Sequence, residues 1–209
     1  MIKILFFALF IKPIVFIVLG LNLHGYRQLP FKGPAVVAAN HNSHLDVLVL
    51  MSLYPLRQLK YIRPVAAADY FFQNKVWAWI ATKCVDIIPI QRSGQSAESV
   101  LEACHQVLES GQILILFPEG SRGQPEQIGQ IKKGLFYLMQ RHPTVPITPV
   151  FMRGLGKALP RGEALFVPFN CDVIVGETLA LASNSTDFVT LMSTTFQELS
   201  KRCLGQGIV

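Results

Sequence analysis

The sequence predicts an α/β domain with a mostly parallel or mixed sheet covered by helices on both sides, preceded by an apolar N-terminal membrane-anchoring helix. Three observations carry this expectation. Short, unbroken apolar runs alternate with stretches of helical periodicity, the pattern of strands buried on both faces. Residues 4–23 are almost wholly apolar, close to the ~20 residues needed to cross a bilayer. Of 209 residues, 51% are hydrophobic and 15% charged, against about 25% charged in ordinary soluble domains. A membrane or a partner is therefore expected to cover part of the surface. The length suits one domain, so the chain divides into a membrane-anchoring segment at 1–24 and a single domain at 25–209.

Lys12-Pro13 interrupts the anchor. A lysine near the bilayer centre costs roughly 2.5–3.5 kcal/mol, and proline kinks a helix. Those two residues favour a helix lying in the interface, with Lys12 reaching for the headgroups, over one that spans, and so apolar a segment is not expected to be a buried core helix. No small-x-small cleavage site follows at Asn22-Leu23-His24-Gly25, which counts against a signal peptide.

A loop at 25–33 leads to an apolar run at 35–39, read as a buried strand. A helix is expected at 44–53, stopped by Pro55. A strand at 59–63 precedes a helix at 71–82 and a second buried strand at 85–90. Val100, Leu101, Cys104, Val107 and Leu108 fall at helical spacing within 96–110, and Gly111 stands where helices stop. A third buried strand at 113–117 and a helix at 131–141 follow. The strand at 145–151 contains Pro146 and Pro149, which are expected to limit its pairing. Two strand pieces at 164–175 and a helix at 187–202 complete the chain.

The net charge of +6 suits an anionic membrane or acidic substrates. The basic residues are scattered, without a nucleic-acid signature. Cys84, Cys104, Cys171 and Cys203 form no close pair, so neither a zinc site nor a disulfide framework is indicated, and reduced thiols facing a cytoplasm are expected.

Charged residues gather at the ends of three predicted strands, where α/β folds place ligands. The strand at 35–39 runs into Asn40-His41-Asn42-Ser43-His44-Leu45-Asp46. His41 and Asp46 would sit about 140° apart on a continuous helix. They meet only if His41 lies on the turn and Asp46 in the first helical turn. A neutral imidazole can then take a proton from a hydroxyl, with the carboxylate fixing its tautomer. Ser43 with Asp46 also fits a capping box, which by itself accounts for an acid there. His44 is a rival base, but two residues from Asp46 it would not face it on a helix. The second site is Phe117-Pro118-Glu119-Gly120-Ser121-Arg122, where Arg122 can hold a phosphate bidentately; a surface turn with a solvated ion pair is the plainer reading. The third is Arg92, which taken alone is an ordinary exposed arginine. Lys132 and Lys133 open a predicted helix against its dipole, a weak hint of anion binding. A base together with phosphate-binding cations describes an enzyme acting on a phosphorylated alcohol.

These residues resemble the glycerolipid acyltransferases typified by 1-acylglycerol-3-phosphate acyltransferases. Asn40-His41 through Asp46 matches that family's first motif, a histidine and an aspartate separated by four residues. Arg92 matches the arginine of its second motif, although Asp86 stands where that motif usually has glycine and Pro89 where an aromatic precedes the arginine. Phe117 to Arg122 is similar to the third motif, with Ser121 in place of threonine. Lys132 falls where a lysine often follows, and residues 145–150 resemble the fourth motif. The likeness covers 24–176 in the family's order.

The resemblance implies a membrane-associated O-acyltransferase of phospholipid biosynthesis. His41 and Asp46 would be catalytic. Arg92, Glu119, Gly120, Ser121, Arg122 and Lys132 would bind substrate, with Glu119 positioning Arg122 or a glycerol hydroxyl and backbone amides near Gly120 facing the oxyanion. The acyl donor would be the thioester of coenzyme A (acyl-CoA) or of acyl carrier protein (acyl-ACP), with no further cofactor and no metal. Anionic membrane lipids and the donor would be the partners, nucleic acid would not, and the site would lie on the cytoplasmic face of a membrane such as a bacterial inner membrane. The same chemistry on another lysophospholipid, an ornithine-type lipid or a glycolipid is the alternative acceptor reading. A non-catalytic lipid-binding protein or a serine-type lipid hydrolase are rivals of another class, the latter lacking a nucleophile elbow.

Overall fold

A computed structural model of the chain describes residues 1–67, 74–90, 97–123, 127–158 and 170–204. The apolar runs form a seven-stranded sheet: β1 (Gly20–His24), β2 (Ala35–Ala39), β3 (Ile62–Ala67), β4 (Ile88–Ile90), β5 (Ile113–Leu116), β6 (Ile147–Arg153) and β7 (Asn170–Val175). Their order is β1-β7-β6-β2-β5-β3-β4. Strands β2 to β6 run parallel, β7 pairs antiparallel with β6, and β1 joins β7 in parallel. The sheet is thus mixed and mainly parallel, as expected.

Every residue of β2 is buried because strands flank both edges and helices cover both faces. Its side chains alternate between two cores. Ala35, Val37 and Ala39 join Phe7, Ile11, Val49 and Leu50, while Val36 and Ala38 join Leu108, Phe136, Phe188 and Phe196. The helices are α1 (Ile2–Phe6), α2 (Leu45–Ser52), α3 (Lys75–Trp79), α4 (Ala97–Glu109), α5 (Gly134–Gln140), α6 (Leu155–Ala158) and α7 (Ser185–Ser200).

The N-terminal segment departs from its expectation. α1 continues into two π-helical turns, Phe7–Ile11 and Ile14–Val18. Lys3, Phe7, Ile11, Val15 and Leu19 are buried against the domain, whereas Leu5, Leu9, Phe10, Phe16 and Ile17 are exposed. A row at every fourth residue drifts about 40° per step on an α-helix; wider π turns remove part of that drift and keep the row facing inward. Residues 20–24, expected as the end of the anchor, are strand β1. Asn22 lies opposite Asp172 in the β1–β7 register, and its amide donates to that carboxylate at 2.7 Å. Among the described residues no helix is long and apolar enough to cross a membrane.

Three other boundaries move. Leu56–Tyr61 is a 3-10 helix, so the strand expected at 59–63 begins at Ile62. β4 is short because a π-helical turn, Ile80–Val85, precedes it and ends at Asp86 in a left-handed conformation, φ 66°. α5 starts at Gly134, with Lys133 at its N-cap, so Lys132 precedes the helix and the dipole argument does not apply to it. β6 pairs on both sides despite Pro146 just before it and Pro149 within it: the Pro146 carbonyl accepts from Val36 N–H and the Pro149 carbonyl from Gly176 N–H. Proline removes a donor but leaves its acceptor usable. The strand piece at 164–169 and the helix start at 71–73 lie outside the described residues.

Candidate active site

β2 ends at Ala39, and the next side chain continues its pairing. The Asn40 amide donates to the Met152 carbonyl at 2.9 Å and accepts from the Met152 N–H at 2.6 Å. This double bond fixes the chain's exit from the sheet beside β6 and leaves His41 on the turn.

His41 and Asp46 meet as the turn geometry requires, with Nδ1 to Oδ2 at 2.9 Å. Asp46 is fully buried, and the same Oδ2 accepts from Asn42 N–H at 2.7 Å and Ser43 N–H at 2.9 Å. Ser43 Oγ accepts from Leu45 N–H at 3.3 Å. Half of the expected capping box forms, from Asp46 Oδ2 back to the Ser43 N–H, while the Asp46 N–H donates to the Ser43 carbonyl at 3.3 Å; the same Oδ2 closes the start of α2 and holds the imidazole. The His41 ring stacks on Phe117, centroids 4.1 Å apart and planes at 22°. With Nδ1 committed and the side chain 18% exposed, Nε2 is the nitrogen left for proton transfer.

The loop after β5 closes the other side. Gly120 has φ 69°, a conformation that glycine adopts without strain, and its N–H donates to the Phe117 carbonyl at 3.0 Å. Of the amides near Gly120 expected to face the oxyanion, that one is already engaged, whereas the Ser121 N–H has no partner among the described residues. Lys132 lies over this turn, its Nζ 3.1 Å from where a Cβ on Gly120 would stand. Arg122 contacts His44 Nε2, so His44 faces the arginine and not Asp46.

Glu119 is turned inward and 3% exposed. Its Oε1 accepts from His41 N–H at 3.0 Å and its Oε2 from Gly129 N–H at 3.1 Å. Burial raises its carboxyl above the ordinary value, while the His41 and Gly129 amides and the His41 side chain pull it back. Both carboxylate oxygens of Glu119, expected to position Arg122 or a glycerol hydroxyl, thus accept from backbone N–H groups. Arg92 lies outside the described residues. Sequence reading missed the roles of Asn40, Phe117 and Gly129. Only Asn40 carried a signal, an amide placed directly after an apolar strand.

Residues 20–153 match the Acyltransferase family, a span that opens with β1 and closes with β6. The Arabidopsis thaliana protein named 1-acyl-sn-glycerol-3-phosphate acyltransferase LPAT1, chloroplastic, is 30% identical over 158 residues, which is 74% of this chain and 42% of that protein. The human 1-acyl-sn-glycerol-3-phosphate acyltransferase alpha is 26% identical over 196 residues, 89% of this chain and 67% of that protein. The chain spans about two fifths of the length of the plant relatives it matches. The crystal structure of the 1-acyl-sn-glycerophosphate (LPA) acyltransferase PlsC from Thermotoga maritima shares the fold, with a TM-score of 0.73 at 18% identity over 91% of this chain and 75% of that one. With the family matched over most of its sheet, the chain belongs to the Acyltransferase family.

Proposed function

We propose that the protein is a membrane-associated O-acyltransferase that moves a fatty acyl group from a thioester to the hydroxyl of 1-acylglycerol-3-phosphate, forming phosphatidic acid for phospholipid synthesis. The observation that carries the reading is the His41–Asp46 pair at the carboxyl edge of β2, facing the 119–122 loop. Its relatives' names supply the acceptor.

In this mechanism Nε2 of His41 takes the proton of the acceptor hydroxyl, and Asp46 stabilises the imidazolium. The oxygen attacks the thioester carbonyl. The tetrahedral oxyanion is met by the Ser121 N–H. The C–S bond then breaks, and the departing thiolate takes the proton back from His41. Arg122, Lys132 and Arg92 hold the acceptor's phosphate, with His44 orienting the Arg122 guanidinium. The donor is acyl-CoA or acyl-ACP, and no cofactor or metal enters the scheme.

The N-terminal helix serves as an interfacial anchor. Its inner row is committed to the domain, while its outer side exposes Leu9, Phe10, Phe16 and Ile17. Within residues 1–67, Asp46 is the single acid, against Lys3, Lys12, Arg27, Lys32, Arg57, Lys60 and Arg63. An apolar surface with that charge favours anionic lipid and keeps the site at the membrane where acceptor and product reside, on the cytoplasmic face of a membrane such as a bacterial inner membrane.

The test is acyl transfer by the wild type and by His41→Ala, with each thioester donor and lysophosphatidic acid. Phosphatidic acid from the wild type alone is the expected result. Wild-type transfer only to acceptors without phosphate would move the reading to another lipid, and none to any acceptor would end it.

A further inference from the structure

Glu119 does not look out at the substrate space. Both its carboxylate oxygens are spent on backbone N–H groups from two segments that no sheet pairing joins, the turn at His41 and the loop at Gly129. The approach to the second segment is close enough to dictate its residue. A Cβ on Gly129 would lie 2.3 Å from Glu119 Oε2, and one on Gly123 3.2 Å from it. Gly123 in turn donates its N–H to the His41 carbonyl at 3.0 Å. His41 is therefore held through its N–H by Glu119, through its carbonyl by Gly123, and through its ring by Asp46 and Phe117. A buried carboxylate is costly unless hydrogen-bonded, and leaving these amides unmet would cost as well, so the three groups form one interdependent unit.

We infer that Glu119 is a positioning residue and not a substrate ligand: it braces the backbone of His41 against the Gly129 loop and so fixes where the base stands over the acceptor hydroxyl. This rests on the acyltransferase reading for its kinetic consequence but not for its structural one. A misplacement of the base by about 1 Å can cost on the order of 100-fold in rate. The brace therefore acts on kcat, because it touches neither substrate. A substrate ligand would act mainly on the acceptor's KM.

The experiment compares Glu119→Gln, Glu119→Asp and Gly129→Ala, singly, with the double variant Glu119→Gln/Gly129→Ala. Glutamine keeps the shape but turns one acceptor into a donor facing an N–H. Alanine at 129 pushes Oε2 away without changing a charge. The expected result is a 10- to 100-fold fall in kcat for Glu119→Gln and Gly129→Ala, an acceptor KM within about twofold of the wild type, a smaller loss for the aspartate, and a double variant no worse than the poorer single. Amide hydrogen exchange of residues 40–46 is expected to quicken in the same variants. A raised acceptor KM with kcat retained would make Glu119 a substrate ligand and overturn the brace, as would unchanged exchange at 40–46. Exchange is read without substrate, so a wild type that transfers no acyl group would sink the enzymatic reading and leave the brace judged on exchange alone.

Discussion

Asp46 does two jobs through one oxygen, and its variants separate them. Asparagine there can still accept a bond from the turn amides but presents the wrong partner to His41, so Asp46→Asn is expected to lose about 10^4-fold in kcat with a small change in stability. Alanine removes the closure of the first turn of α2 as well and should cost a further 1–2 kcal/mol or so. Rates and urea midpoints of the two variants check this, and equal rates in Asp46→Asn and wild type would remove the orienting role. His41→Ala should lower turnover by about 10^2–10^4-fold and leave the far-ultraviolet circular dichroism unchanged. This pair was legible because five residues of local chain settle its geometry. The partners of Glu119 were not, since Gly129 reaches it through a loop closure that no periodicity records. Gly120 was legible as a turn, but that its amide is spent on Phe117 depends on the turn's exact closure.

Among the elements, the apolar runs announced β2, β5 and β6 well, because a strand buried on both faces needs little else. The edges were less legible. Asp86 shows why: it occupies a left-handed position that favours glycine, and it pairs there with Arg63 and lies 3.8 Å from Lys3 Nζ. The family's usual glycine at this position gains physical sense from that φ. Asp86→Gly is expected to be more stable than Asp86→Ala by about 1 kcal/mol, since both lose the ion pairs and only alanine keeps the strain; equal denaturation midpoints would deny it. Lys3 is the other half of this anchor. It donates to the Ile62 carbonyl at 2.9 Å, and burial lowers its pKa from 10.5 to about 8, with Asp86 opposing the fall and Arg63 adding to it. Between those values the unfolded chain holds the proton that the folded chain has released. Wild type should therefore gain stability relative to Lys3→Met as pH rises from about 8 toward 10.5, and parallel curves across that range would show that Lys3 is not desolvated.

At the scale of the molecule, composition led to the expectation of a covered surface, and the fold shows where apolar side chains remain open. Phe10, Phe16 and Ile17 are exposed on the N-terminal helix, and Val76 and Trp79 on α3. Replacing Phe10, Phe16 and Ile17 with serine is expected to weaken binding to anionic vesicles at least tenfold while the melting temperature holds, because none of the three belongs to the core. Salt should weaken wild-type binding further. Equal sedimentation of the variant and wild type with vesicles would place the lipid contact elsewhere. The sequence marked this segment as apolar but not that its inner row would be used up by the domain; that depends on β1 joining the sheet beside a strand far along the chain.

That pairing has a consequence for how the protein is made. The partners in the β1–β7 ladder lie 150 residues apart. At roughly 5–20 residues per second of synthesis, β1 and the greasy helix before it wait on the order of 8–30 s for the strand that completes their edge. During that interval the nascent chain offers an unpaired strand and a largely apolar helix to whatever is nearest. A ribosome working close to a bilayer would give that helix a harbour before its own domain can, so delivery to the membrane would precede closure of the fold.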